Sequence, residues 1–343
     1  MNLTDFKKCH ILVVGDLMID EYLWGDVDRI SPEAPVQVVS VNQEDFTLGG
    51  SGNVVNNLVA LGARVSTAGV VGMGADGRLL LDRFRELDVD TDGIVQDPER
   101  PTTRKTRIIA GSQHVLRIDR ETRQSISAKT LDNLTRYLET VVPTVDVVLI
   151  SDYGKGLVSR ELMSRLTVMA RHHGKPTIAD PKGLDFSKYR GVSLLTPNRK
   201  EAALASGIDI VDRVAMHKAA SRILETAAIE RLLITCGKDG MVLFGRNGSP
   251  HTIRSEARQV FDVSGAGDTV LAVFGLAVAA GGSFEAAAAL ANTAAGIVVG
   301  KVGTATVSGE ELNAALNPFS DGLSSKIVSI EEITGIVRQY RRQ

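Results

Sequence analysis

The run Phe261-Asp262-Val263-Ser264-Gly265-Ala266-Gly267-Asp268 leads straight into an apolar stretch over 269–280. Small residues at the start of a helix leave backbone N–H groups unpaired, and the helix dipole adds positive potential there, so the segment makes a ready anion site. It also ends in a carboxylate. A carboxylate beside an anion cradle repels a resident phosphate, but it is well placed to take a proton from a hydroxyl about to attack one. Asp268 is therefore a candidate general base, and Gly265, Ala266 and Gly267 are candidate donors to a transferred anion. Taken alone, the segment also fits plain helix capping.

Other segments carry related chemistry. Leu48-Gly49-Gly50-Ser51-Gly52-Asn53 precedes a helix expected over 54–61; paired glycines let a sugar ring approach the backbone, and Asn53 can both donate to and accept from hydroxyls. Asp16, just past the first strand, is acceptor-only when ionised and suits two sugar hydroxyls; turn and cap chemistry is the competing reading of both motifs. Asn198 and Glu201 lie three apart, on one helix face, and offer oxygen ligands for magnesium, directly or through water, or else a simple cap. Thr235-Cys236-Gly237-Lys238-Asp239-Gly240 reads as a strand end entering a tight turn, a hairpin that could also admit a nucleotide. Two phosphate motifs fail. No Gly-x-x-x-x-Gly-Lys-Ser/Thr run exists, and Gly72-Met73-Gly74-Ala75-Asp76-Gly77 lacks a following strand that ends in an acid, because 88–97 reads as a polar turn.

These residues need a scaffold to bring them together. Aliphatic runs at 10–16, 145–151, 176–180, 191–196 and 231–235 have the pattern of strands buried on both faces. Helix-period stretches at 160–172, 199–205 and 213–226 alternate with them. The expected fold is α/β: a doubly wound, mainly parallel sheet with helices on both faces and ligands at the carboxyl ends of its strands. Extended, β-branched, charged segments at about 20–45 and 102–120 break the alternation and read as a small β-flap, or lid, joined at Gly111-Ser112. A lid keeps water from a reactive phosphate; a plain edge hairpin has the same pattern.

Residues 1–343 read as one domain, with a peripheral helical tail at about 320–343. Hydrophobic residues make up 43% and charged residues 23%, and the net charge of -2 provides no basic field for nucleic acid or anionic membrane. Cys9 and Cys236 match no metal spacing and fit buried thiols in a reducing compartment. With no secretory leader and no spanning segment in view, a cytoplasmic location is expected. The lid strands offer edges for pairing, so a homodimer is the expected assembly.

The ordered set Asp16, Gly49-Gly50 with Asn53, Asn198 with Glu201, Thr235 with Gly237 and Gly240, then Asp262 and Gly265-Ala266-Gly267-Asp268 resembles the ribokinase-like (PfkB) carbohydrate kinases over about 10–315. Within that family the segments 15–22, 29–36, Asp152-Tyr153-Gly154-Lys155-Gly156 and Asp180-Pro181-Lys182-Gly183 resemble the branch acting on D-glycero-D-manno-heptose 7-phosphate, in bacterial lipopolysaccharide synthesis. Bifunctional members carry a nucleotidyltransferase after the kinase; the chain ends at Gln343, so the stand-alone form is expected.

The resemblance implies magnesium-ATP as donor and Asp268 as base. Asp16, Gly49, Gly50, Asn53 and Asp152 would hold the sugar. Asn198 and Glu201 would organise magnesium, with Thr235, Gly237, Gly240 and Asn292 bordering the nucleotide. It also implies a potassium site at Asp262, Ser264 and Gly303. The sugar's remote phosphate needs cations, for which Arg104, Lys105, Arg107, Arg117 and Lys155 are candidates; Lys182 serves either that phosphate or the nucleotide. A kinase for another sugar phosphate or nucleoside, or a non-catalytic sensor on the same fold, are the rival readings.

Overall fold

Strand runs too apolar to face water on either side have to be covered by helices on both faces, and that is the arrangement observed. The computed structural model describes residues 3–111, 113–255, 261–301 and 303–317. β1 (His10–Gly15) leads to two long strands, β2 (Leu17–Ile30) and β3 (Gln37–Gly50), and then to helix α1 (Ser51–Ala60). β4 (Arg64–Gly72), α2 (Ala75–Glu86), β5 (Asp90–Asp97), β6 (Thr103–Ala110) and β7 (Gln113–Arg120) follow. The middle of the chain runs α3 (Ala128–Val141), β8 (Val147–Ser151), α4 (Arg160–His172), β9 (Thr177–Asp180), β10 (Leu194–Leu195), α5 (Arg199–Ser206) and α6 (Arg213–Thr226). Strands β11 (Arg231–Thr235), β12 (Met241–Gly245) and β13 (His251–Ile253) precede helices α7 (Ala266–Ala279), α8 (Phe284–Val298) and α9 (Gly309–Leu316).

The larger sheet has the order β13-β12-β11-β10-β9-β8-β1-β4-β5 and is parallel except where β12 pairs with β11 and β13. Period-two alternation divides its strands between two cores. Ile11, Val13, Val147 and Leu149 join α1, α7 and α8 on one face, while Leu12, Val14, Val148 and Ile150 join α3, α4 and α6 on the other. Because parallel strands all end on the same side, register alone lines up residues far apart in the chain. Gly15 pairs with Ser151, Ser151 with Asp180, and a lone bridge joins Asn198 to Thr235. Asp16, Asp152, Asp180, Asn198 and Thr235 therefore share the carboxyl edge.

The smaller sheet, β3-β2-β6-β7, is the lid. β2 pairs antiparallel with β3 and parallel with β6, which sets Asp20 opposite Lys105 and Tyr22 opposite Arg107. The lid is longer than the extended segments read from the sequence: β2 begins at Leu17 and β3 runs to Gly50.

Three local expectations change. Residues 90–97 form strand β5 instead of a polar turn; as the last strand of the sheet it can keep Asp90 and Gln96 in water while burying Gly93 and Ile94. The helix expected over 54–61 begins at Ser51, directly after Gly50, so Asn53 sits in its first turn. The strand expected over 191–196 shrinks to β10. The segments 160–172, 213–226 and 231–235 form the helices and strand expected of them. The tail at 320–343 lies outside the described residues. Among the described residues no helix is long and apolar enough to cross a membrane.

The Gly72–Gly77 motif answers to packing. A Cβ on Gly77, in the first turn of α2, would fall on the Gly72 carbonyl oxygen, and neither backbone can yield cheaply. Gly77→Ala returns only ~1 kcal/mol of helix propensity against this clash. A net loss of about 1–3 kcal/mol in a urea melt is expected, with ATP affinity of the folded protein unchanged.

Candidate active site

Helix α7 is buried at every position from Asp268 to Ala277. A helix of this kind is held by packing on all sides, and it carries Asp268, only 3% exposed, to an interior N-terminus. Gly265 caps that end with φ 78°, and a Cβ there would stand 2.6 Å from the Asn53 amide nitrogen, so the position needs glycine for conformation and for space. Asn53 Nδ2 donates to Asp268 Oδ2 at 2.9 Å, and Asn57 Nδ2 in turn donates to the Asn53 carbonyl at 2.9 Å. Tyr153 Oη donates to Asp268 Oδ1 at 2.7 Å.

Of the N–H groups in the α7 turn, that of Ala266 bends back to the Val263 carbonyl at 3.3 Å. Those of Gly267 and Asp268 meet no acceptor among the described residues. Burial pushes the Asp268 carboxyl up to about 6. Asn53, Tyr153 and, at longer range, Lys105 pull it down, and Asp20 opposes them. A carboxylate balanced in this way is charged at neutral pH yet basic enough to accept a proton from a hydroxyl.

The carboxyl edge beside it is less open than the sequence implied. Asp16 Oδ2 accepts from the Tyr153 N–H at 2.8 Å and the Lys155 N–H at 3.1 Å, and the Leu157 backbone N–H also favours its charge. Burial, and then Asp152, hold its carboxyl above the ordinary range. Gly49 and Gly50 stand opposite Met18 and Leu17, with Gly49 backed onto the Asp20 carboxylate. Asp152 binds the Gly154 N–H at 2.7 Å, the Tyr189 hydroxyl at 2.5 Å and Lys188, so it braces the loop.

A cavity of about 180 Å³ lies between Gly267 and the start of α5, lined by Asp152, Tyr153, Asp180, Lys182, Thr196, Asn198, Glu201 and Thr235. Asn198 and Glu201 form a reciprocal capping box, 2.9 Å one way and 3.1 Å the other. Lys182 pairs with the free oxygen of Glu201 at 2.6 Å. Asp180 accepts from the Thr196 hydroxyl at 3.1 Å; burial, and then the charges of Glu201 and Asp268, hold it well above the ordinary range.

Pleating divides the lid cations. Arg104 turns to one face, where it pairs with Glu21 and with Asp76 at 2.6 Å. Arg107 turns to the other, pairing with Asp20 at 2.5 Å and lying over the Tyr22 ring. Arg117 is exposed and bound to Asp119 at 2.8 Å; Lys155 is buried against Glu121 at 2.5 Å. Lys105 differs: half-buried, with its Nζ 5.5 Å from the Tyr153 ring centroid, it has no carboxylate at ion-pair distance among the described residues. Burial lowers its pKa, and Asp20 offsets part of that effect.

Gly237 and Gly240 shape the turn from β11 to β12, and a Cβ on Gly240 would fall on the Ile253 carbonyl. Asn292, from α8, donates to the Arg254 carbonyl at 2.8 Å, just past β13. The structure also brings together Asp262, Ser264 and Gly303: the Asp262 carboxylate accepts from Ser264 N–H at 2.9 Å and Gly303 N–H at 3.2 Å. Sequence reasoning assigned no role to Tyr153, Asp180, Thr196 or Asp20. Asp180 ends a buried strand just as Asp16 follows one, and Asp20, Tyr153 and Asp180 fall in the segments that resemble the heptose branch, which were the available signals; nothing local marked Thr196.

A buried carboxylate of raised pKa at the N-terminus of a helix, beside N–H groups that meet no acceptor among the described residues, has the chemistry suited to an enzyme that moves a phosphoryl group onto a hydroxyl of a small molecule. The family model described as pfkB family carbohydrate kinase matches residues 8–311, and the chain belongs to that family. It is an ATP-dependent carbohydrate kinase. The chain is 53% identical over 338 residues to the bifunctional protein HldE of Desulfatibacillum aliphaticivorans, covering 98% of this chain and 69% of that one. It is 50% identical over 331 residues to the HldE of Geobacter metallireducens, covering 96% and 68%. Its fold matches Arabidopsis thaliana ribokinase complexed with ribose and ATP (TM-score 0.71, 20% identity, 90% and 98% covered). It also matches Escherichia coli phosphofructokinase-2 in complex with potassium (TM-score 0.74, 17% identity, 91% and 99% covered).

Asp268 sets opposite demands on activity and stability. Its folded pKa of about 6 stands above the ordinary 3.8, so its contribution favours folding below pH 3.8 and is lost as pH rises through 6. At pH 8 the buried charge costs on the order of 2–3 kcal/mol. Asp268→Asn should therefore lose roughly 10²–10⁴-fold in turnover and still bind ATP. It should also resist urea better than the parent at pH 8, with that advantage gone at pH 4. The parent's kcat/KM should fall below about pH 6 as the base protonates.

Proposed function

We propose that the chain transfers the γ-phosphate of ATP to the anomeric hydroxyl of D-glycero-β-D-manno-heptose 7-phosphate. The product is the 1,7-bisphosphate, on the route to ADP-heptose for the lipopolysaccharide inner core. The observation that carries the sugar-phosphate reading is Lys105, a half-buried lid cation with no ion pair among the described residues, lying over the Tyr153 ring whose hydroxyl meets Asp268. The cost of leaving an ammonium half-buried and unpaired is offset once a phosphate oxygen meets it. The HldE relatives and the heptose-branch segments at 15–22, 29–36, 152–156 and 180–183 support the choice of sugar.

In this reading Asp16 Oδ1 and Asn53 orient the sugar against the paired glycines, Gly49 and Gly50. Asp268 takes the anomeric proton as the oxygen attacks the γ-phosphorus. The free N–H groups of Gly267 and Asp268 meet the charge on the transferred group, each donor worth about 3–4 kcal/mol. The α7 turn that carries them includes Gly265 and Ala266. Thr235, Gly237, Gly240 and Asn292 border the nucleotide, and Lys182 reaches its phosphates by leaving Glu201.

Magnesium fits the donor set of the small cavity, which is built from carboxylate, amide and hydroxyl oxygens around a buried Asp180 whose pKa burial holds well above the ordinary range. The oxygens of Asn198 and Glu201 are engaged in the capping box, so they would hold the ion through water; bound there, it would neutralise charge on the ATP phosphates. Among the described residues no cluster of three side chains forms a direct metal cage. Potassium would rest on the carbonyl oxygens of the Asp262, Ser264 and Gly303 loops, because the Asp262 carboxylate is committed to N–H groups. A homodimer would use the exposed lid strands β3 and β7.

ADP release in magnesium-ATP, measured against heptose 7-phosphate, heptose, fructose 6-phosphate, ribose and adenosine, tests the proposal. A strong preference for heptose 7-phosphate is expected. Lys105→Ala should raise KM for the sugar phosphate about 10–100-fold, the worth of a charged hydrogen bond. It should alter turnover of unphosphorylated heptose little. Equal losses on both sugars, or preference for another acceptor, would sink the substrate assignment.

A further inference from the structure

Tyr153 touches three parts of the site at once. Its hydroxyl donates to Asp268 Oδ1 at 2.7 Å, its backbone N–H donates to Asp16 Oδ2 at 2.8 Å, and its ring lies 5.5 Å below Lys105 Nζ. It stands two residues beyond the end of β8, in a loop held by Asp152 through the Gly154 N–H, so its backbone is anchored independently of its side chain.

We propose that Tyr153 is a positioning residue for the transfer: its phenol holds the Asp268 carboxylate in one orientation and in its charged form, and its backbone ties that orientation to Asp16. The inference rests on the reading of Asp268 as the base. A carboxylate offers about four lone-pair positions; Asn53 takes one on Oδ2 and Tyr153 one on Oδ1, and the rest stay available to the acceptor hydroxyl. A neutral donor suits the task. A lysine or arginine at this spot would hold the carboxylate charged but strip it of basicity, whereas a phenol stabilises the charge and leaves the base near neutrality. Burial, and then the Asp268 charge, keep the Tyr153 proton in place well above the ordinary tyrosine range.

The charges facing Asp268 come from several elements: Asp20 on β2, Lys105 on β6 and Asp180 at the end of β9. Asp20 favours the protonated base and Lys105 the charged one, while the Asp268 charge raises Asp180, and Tyr153→Phe alters none of these. Removing the phenol oxygen removes one donor to the carboxylate and keeps the ring beneath Lys105.

The test is the pH profile of kcat/KM with saturating magnesium-ATP, for the full chain and for Tyr153→Phe, alongside ATP affinity by calorimetry. The acid limb should move up by about 1 pH unit in Tyr153→Phe, with roughly tenfold lower plateau turnover and ATP affinity within about twofold. Replacing Tyr153 alone by 3-fluorotyrosine keeps the size and gives a stronger donor, so the limb should move down; this variant decides the matter if Tyr153→Phe does not fold. Lost turnover with an unmoved acid limb in the folded variants would overturn the proposal and leave Tyr153 as packing or as a direct substrate contact. An acid limb that persists in Asp268→Asn would instead overturn the assignment of the base itself.

Discussion

In the role proposed for it, Asp268 has to be dry enough to act as a base near neutral pH and still carry its charge when the acceptor hydroxyl arrives. Water would satisfy the second demand and defeat the first. The chain meets both with neutral donors: Asn53 from the start of α1 and Tyr153 from the loop after β8 each give one hydrogen bond to a carboxylate buried at the N-terminus of α7. Much else follows from holding those three together. α7 is buried from Asp268 to Ala277, so the carboxylate is fixed by packing although the turn just before it is open. Gly265 must be glycine because Asn53 fills the space beside it, and Asn57 holds Asn53 in turn.

The lid supplies the charge that the base lacks and removes charge that would disturb it. Its two faces are kept apart by the pleat. On one, Arg104 joins Glu21 and Asp76, linking the lid to α2. On the other, Arg107 answers Asp20, a carboxylate that would otherwise drive protons onto Asp268 without relief. With both arginines committed, Lys105 beside Tyr153 has no ion pair among the described residues. In the proposed function a lysine there suits a phosphate that must be bound and let go, since its charge sits on a flexible stem and makes no fixed fork.

Around them the sheet does the long-range work. β1 lies between β8 and β4, where the chain's course across the sheet changes direction, and crevices at such points are where α/β folds bind ligands. The carboxyl ends of β1, β8 and β9 bring Asp16, Asp152 and Asp180 into a row that continues to Asn198 and Thr235. Three carboxylates so near each other are costly, and each is answered differently: Asp16 by backbone N–H groups, Asp152 by Lys188 and Tyr189, Asp180 by the Thr196 hydroxyl, with burial holding its pKa well above the ordinary range.

What the sequence determined by itself is whatever depends on neighbours along the chain. Helices 160–172 and 213–226 follow from apolar period, the strand 231–235 from an aliphatic run, and the small-residue turn that opens the buried helix α7 at Asp268 from the glycines ahead of an apolar stretch. Pairing and register were beyond it. The strand nature of 90–97 depends on its place at the sheet edge, and the start of the lid at Leu17 depends on β3 and β6 lying beside it. The tertiary structure alone decided that Tyr153 meets Asp268, that Glu21, Asp76 and Asp20 occupy Arg104 and Arg107 while Lys105 has no ion pair among the described residues, and that the backbone N–H groups of the 153–157 loop hold Asp16. Each of these outcomes is a balance of desolvation against a partner more than 25 residues away. No local pattern encodes whether that partner arrives.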